Sequence, residues 1–375
     1  MYKMMTPGPT MVAENVRMAR SVVTGNPDSD EDFCEMYHEL CGRIGNLLHT
    51  KNEIYILGGE GILALEAACA SLTEPGDRVL VIDNGIFGKG FADFVRIYGG
   101  NPVLYTVDYH NPVDARRLAA YLEKNHDFKY ATVVHCDTPS GVLNNISKIC
   151  PLLKKYEILT VVDSVAAMFG EPVRVDDWQI DVICGGSQKA LSAPPGLAFV
   201  SVSKAAMKAM LDRKVPIASF YCNLLTFRTY YEDKWFPYTM PISDIMGLQA
   251  AVENVEKDKD ILKRHGKIAE ATRKAVISAG LSLYLESGYA STVTVLNVPK
   301  ETTDEAILKE MRYTHGIMIS GCFDILKGKV IRLGHMGNNA RTEQVAEMLE
   351  ALEKTLQTLK VPLRQSMKEI FLKEI

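Results

Sequence analysis

The chain has 375 residues, 47% hydrophobic and 23% charged, with 42 basic against 46 acidic side chains and a formal net charge of −4. That balance excludes a disordered or collagen-like chain and provides no basic field for nucleic acid or an anionic membrane. The length points to two domains. No apolar run approaches the ~18 residues that cross a bilayer, and the start, Met1-Tyr2-Lys3-Met4-Met5-Thr6-Pro7-Gly8-Pro9, lacks the apolar core of a secretory signal. Eight cysteines are scattered without a CxxC pair or zinc-like spacing, so no metal site is expected. Reduced thiols in a cytoplasmic protein are the expectation.

Residues 1–12 show no strand pattern and are grouped with the smaller, C-terminal unit. Residues 53–57 read as a buried strand ending at Gly58-Gly59. Residues 62–72 carry helix formers and stop before Glu74-Pro75-Gly76-Asp77. Further β-rich runs occupy 78–82, 102–107, 130–135, 158–163, 181–184 and 196–202, with helical stretches between most of them. This alternation predicts an α/β fold: a large domain over residues 13–255 whose mainly parallel seven-stranded sheet carries helices on both faces. The pattern then changes. One long helical pattern over 244–279 leads into a smaller α+β domain, 256–375, with strands at 291–298, 316–319 and 330–333 and helices at 303–313 and 342–359.

A doubly wound sheet binds its ligand outside the carboxyl ends of its strands, and the unusual residues lie there. Gly59-Glu60-Gly61-Ile62-Leu63-Ala64 has the GxGxxA form, follows a strand, opens a helix, and has Asp83 at the end of the next strand. A dinucleotide site, a different phosphorylated cofactor and a tight turn without ligand all fit it, because any helix start offers free N–H groups to a phosphate. More specific are His135-Cys136-Asp137-Thr138-Pro139-Ser140-Gly141, Val161-Val162-Asp163-Ser164-Val165, and Ser187-Gln188-Lys189-Ala190-Leu191-Ser192-Ala193-Pro194-Pro195-Gly196. A lone aspartate or lysine in an apolar setting is usually a satisfied structural ion. Asp163 and Lys189, each closing a different strand, instead suggest one pocket.

These segments resemble the fold-type-I pyridoxal-phosphate enzymes, specifically the class V aminotransferases of the alanine/serine–glyoxylate group. The resemblance begins at Thr6-Pro7-Gly8-Pro9, includes Asn84-Gly85-Ile86-Phe87-Gly88 and Tyr238-Thr239-Met240-Pro241, and reaches Ile331-Arg332-Leu333-Gly334-His335-Met336-Gly337, so it covers nearly the whole chain. It implies pyridoxal 5′-phosphate as cofactor, joined covalently to Lys189, with Asp163 on the ring nitrogen. Phe87, where close relatives carry Trp, would stack on the ring, with Val165 on the opposite face and Thr138 near the phenolic oxygen. Gly61, Ile62 and Gln188 would hold the phosphate. Arg332 and Gly8 would lie on the substrate side, with the arginine taking the α-carboxylate. Thr239 matches a position supplied by the neighbouring subunit, which implies a homodimer with shared active sites.

Three residues depart from the family pattern. Glu60 stands where relatives have a small hydroxyl, and its side chain is expected to turn outward. Ile62 replaces a polar residue in some relatives, and Phe236 a tyrosine that reaches the partner's phosphate. The implied activity moves the amino group of alanine or serine to glyoxylate or pyruvate. Within the fold the rivals are a 2-aminoethylphosphonate–pyruvate aminotransferase and a cysteine desulfurase, for which Cys322, ten positions before Arg332, would be the nucleophile. Outside it the rival is a nicotinamide-dependent oxidoreductase.

Overall fold

The computed structural model describes residues 2–375. Seven strands form one sheet, in the order Glu53–Gly58, Leu197–Val202, Val182–Gly186, Leu159–Asp163, Tyr130–Val134, Arg78–Asp83, Asn101–Thr106. All share one direction except Leu197–Val202, which runs antiparallel to both of its neighbours. Its six residues are all buried, as are those of Tyr130–Val134 and Val182–Gly186. Strands covered on both faces read as continuous apolar runs rather than alternating ones, and that is the texture of these segments.

Helices pack on the sheet through the main apolar cluster, which extends from Val16 to Val255 and includes Met336. Gly61–Leu72 lies against Leu197–Val202 and Val182–Gly186. Small residues at Ala64, Ala67, Ala68 and Ala70, all buried, let it approach closely. A second cluster contains Met5 and residues between Ile268 and Phe371. A third, with Cys136, Ala166, Ala167, Val293, Val295 and Val330, lies where residues that follow the sheet strands meet the antiparallel pair Val293–Asn297 and Val330–Gly334.

Two sequence expectations are corrected. The helical pattern over 244–279 is two helices, Ile242–Lys257 and Ile261–Ser278, separated at Asp258. The interruption contains neither glycine nor proline. Instead the Asp258 carboxylate is drawn into a bidentate pair with Arg264, at 2.5 and 2.8 Å. Near the amino end, Lys3–Met4 forms a short strand parallel to Ile317–Met318. Two residues are too few to show a period in sequence. No helix is long and apolar enough to cross a membrane among the described residues, and all eight cysteines are free thiols.

Candidate active site

The central strand Leu159–Asp163 delivers Asp163 to the carboxyl edge of the sheet. The turns after Tyr130–Val134, Val182–Gly186 and Glu53–Gly58 converge on the same edge. One cavity there is lined by Glu60, Gly61, Ile62, Leu65, Phe87, Cys136, Thr138, Asp163, Val165, Ala166, Gln188 and Lys189. Eight of the expected site residues therefore meet: Gly61, Ile62, Phe87, Thr138, Asp163, Val165, Gln188 and Lys189.

Asp163 is 5% exposed, and its Oδ1 accepts from the Val165 amide at 2.9 Å. Its second oxygen takes no hydrogen bond among the described residues. Burial disfavours the charged form and raises the carboxyl to about 7. Lys189 follows the Val182–Gly186 strand in a turn. Its Nζ donates to the Pro7 carbonyl at 2.8 Å, and its own carbonyl accepts from the Thr10 hydroxyl at 3.0 Å. Burial, then the nearby Arg332 cation, lowers this amine to about 8. Phe87 is positioned by its amide, which donates to Asp137 Oδ1 at 3.0 Å.

Gly8, Arg332 and Thr239 do not line the cavity. Gly8 covers the lysine: a Cβ built on it would lie 2.5–2.7 Å from the Lys189 side chain, and its φ of +107° is one that favours glycine. Arg332 lies on the Val330–Gly334 strand, where its Nε donates to the Gly321 carbonyl at 2.7 Å. Its terminal nitrogens make no hydrogen bond among the described residues. Thr239 is outside the cavity of its own chain and donates to Asp28 at 2.8 Å. Phe236 is 4% exposed and packs in an aromatic cluster with Phe33, Tyr37 and Tyr230, so its ring stays within its own subunit.

Glu60 does not turn outward. It caps the Gly61–Leu72 helix: Oε1 accepts from the Ile62 amide at 3.1 Å, and Oε2 from Gln188 Nε2 at 3.3 Å. A carboxylate is favourable there because it satisfies a free helix N–H and faces the positive end of the helix dipole. Sequence reasoning also missed Pro7 and Thr10 as supports of Lys189, and Leu65, Cys136 and Ala166 as lining. Pro7 and Cys136 stood inside the quoted motifs, but nothing in a motif shows which member faces the ligand.

A model of the family described as Aminotransferase class-V matches residues 10–347. The chain belongs to the class V aminotransferase family. It is thus an aminotransferase of the pyridoxal-phosphate-dependent class, which takes the Gly59–Ala64 turn out of the dinucleotide reading. An uncharacterized aminotransferase of Methanocaldococcus jannaschii is 33% identical over 99% of this chain and 98% of its own length. The pyridoxamine–pyruvate transaminase of Mesorhizobium japonicum is 31% identical over 87% and 84%. Other relatives are named aspartate–, alanine– and serine–glyoxylate aminotransferases. Among solved structures, the ureidoglycine–glyoxylate aminotransferase of Bacillus subtilis superposes with a TM-score of 0.96 at 27% identity, covering 100% of this chain and 98% of that one.

The aminotransferase pocket fits the ring of the cofactor. An amine, a carboxylate with a free oxygen, an aromatic and a branched aliphatic side chain surround one space. The fit is poorer at the phosphate end, where the Glu60 carboxylate already takes the Ile62 amide and the Gln188 side-chain amide.

Proposed function

We infer that the aminotransferase moves the amino group of a small amino acid, alanine or serine, to a 2-oxo acid such as glyoxylate or pyruvate, in two half-reactions at one site. The observation that carries this reading is Lys189 and Asp163 lining one cavity at the carboxyl edge of the sheet. Bound there, the cofactor supplies a carbonyl carbon for the amino group and a cationic ring that takes up electron density. Lys189 would hold that carbonyl. With its amine near 8, a substantial fraction is neutral just above neutral pH, so Nζ serves first as nucleophile and then as carrier of the substrate α-proton. The free oxygen of Asp163 would hold the proton on the ring nitrogen, and the ring's positive charge would in turn favour the ionised carboxylate. Phe87 and Val165 would confine the two ring faces, with Thr138 toward the edge.

Arg332 has both terminal nitrogens available for the two oxygens of a substrate carboxylate, the planar match that favours arginine over lysine. Gly8 leaves room beside Lys189. This reading divides the chain into a cofactor-holding unit, residues 13–255, and a smaller unit, 256–375 with 1–12. The separate apolar clusters support that division. It also includes a homodimer in which Thr239 serves the neighbouring subunit, consistent with its place outside its own cavity.

Cysteine desulfuration needs a reactive thiolate, whereas burial raises the Cys322 thiol. The test is a screen of alanine, serine, aspartate, pyridoxamine and 2-aminoethylphosphonate as donors against glyoxylate and pyruvate, combined with borohydride trapping. Alanine or serine turnover and a reduced label on Lys189 support the reading; no label there overturns it.

A further inference from the structure

We propose that Glu60 makes the 5′ end of this pocket reject phosphate, so that the B6 ring binds as its unphosphorylated form and pyridoxamine and pyridoxal pass through as substrate and product. The proposal rests on the assignment of Lys189 and Asp163 to the B6 ring and of a 2-oxo acid as acceptor, and it puts pyridoxamine in the place of the amino-acid donor. At the start of Gly61–Leu72, two of the first three amides that could meet a phosphate are already used, and only that of Gly61 is free among the described residues. The Ile62 amide donates to Glu60 Oε1 at 3.1 Å, and the Leu63 amide to the Glu60 carbonyl at 2.9 Å. Gln188 Nε2, the other donor at this end, is turned to Glu60 Oε2 at 3.3 Å.

What the side chains of this chain leave there is acceptor. Gln188 is 7% exposed, lines the cavity, and its Oε1 is buried with no hydrogen-bond partner among the described residues. A phosphate dianion has oxygens that only accept, and would meet a carboxylate and an amide oxygen. A neutral 5′-hydroxymethyl group carries one O–H donor, which the orphaned Gln188 Oε1 can accept. Charge points the same way. Among the described residues Lys189 is the only cationic side chain lining the cavity, and it is engaged with the ring, so no cation of this lining offsets the repulsion between Glu60 and a phosphate.

Without a phosphate anchor, only Lys189 and the contacts around the ring hold it, so the ring can leave once its amino group has been exchanged. The exchange balances internally. The C4′ carbon of pyridoxamine is oxidised from amine to aldehyde, and C2 of the 2-oxo acid is reduced from ketone to amine by the same two electrons. The nitrogen moves to C2, oxygen appears on C4′ through water, and Lys189 Nζ carries the proton between the two carbons.

The test is a titration of the ligand-free full-length enzyme with pyridoxal and with pyridoxal phosphate, followed by ring absorbance, for wild type, Glu60→Ser and Glu60→Gln. Serine is itself a good N-cap, so the helix start is kept. Wild type is expected to bind pyridoxal at least about tenfold tighter than pyridoxal phosphate, the scale of one charge-assisted hydrogen bond. Glu60→Ser should tighten the phosphorylated form by about tenfold or more and leave pyridoxal nearly unchanged, with Glu60→Gln between. Wild type that retains pyridoxal phosphate through dialysis while pyridoxal fails to displace it overturns the proposal. So does a Glu60→Ser variant with an unchanged preference. If borohydride fixes neither form to Lys189, the aminotransferase reading itself fails; if it fixes only the phosphorylated form, this proposal alone does.

Discussion

At the scale of single residues, the site depends on two cations kept close together. Lys189 is lowered to about 8 by burial and then by Arg332, and burial also lowers Arg332. A neighbouring cation disfavours the protonated amine, so removing it must raise the lysine. In Arg332→Gln, the rate at which pyridoxal attaches to ligand-free enzyme should turn on at a higher pH than the wild-type midpoint near 8. The same variant should lose about 100-fold in kcat/KM for an amino-acid donor, as expected when one member of a buried charge pair is truncated. A pH profile that stays in place separates Arg332 from the lysine. Lys189, Asp163 and the turn residues were legible because a charged residue at the end of an apolar strand is costly unless it is used. The direction of Glu60 was not. Its sequence neighbours show that a helix starts there, and an acid at a helix start is an ordinary cap, a signal the outward expectation passed over.

At the scale of elements, the segment before Thr10 acts as a strap. It begins in the short pair with Ile317–Met318, continues where the Gly334 amide donates to the Met5 carbonyl at 2.8 Å, and ends with Pro7 over Lys189. A Cβ at Gly334 would lie 2.1 Å from the Thr6 carbonyl carbon and oxygen, which are backbone and cannot rotate away. Gly334→Ala is therefore expected to destabilise the chain by about 1–3 kcal/mol, as overpacking does. It should also reduce kcat, because the strap that supports Lys189 shifts. Urea midpoints and turnover measured together check this, and an unchanged pair of values would show the strap to be dispensable. The seven sheet strands were legible because burial on both faces makes them uniformly apolar. The reversed direction of Leu197–Val202 was not, since a fully buried strand reads alike both ways. The interruption at Asp258 comes from Arg264, six residues further along the chain, and no local propensity announces it.

At the scale of the molecule, an aromatic surface accompanies the region expected to face a second subunit. Phe220, Tyr221 and Trp235 are 59%, 54% and 59% exposed, and Tyr221 stacks on Tyr238 with centroids 4.5 Å apart, beside Thr239. Exposed aromatic area of this kind is characteristic of interfaces. Sedimentation equilibrium should give twice the chain mass, and a Tyr221→Glu, Trp235→Glu double variant should sediment as one chain with activity reduced. A fully active monomer would contradict shared sites. The expected dimer is legible in the sequence only indirectly, through Thr239, because a surface residue has no periodic signature of its own.

The strap also sets an order of events on the ribosome. Lys3–Met4 emerge about 310 residues before Ile317–Met318, and Met5 emerges still further ahead of Gly334, the partners that seat them. At ~5–20 residues per second the interval is roughly 15–60 s. A nascent chain can build most of its sheet in that time, but Lys189 waits for these two distant segments to meet before its surroundings are complete.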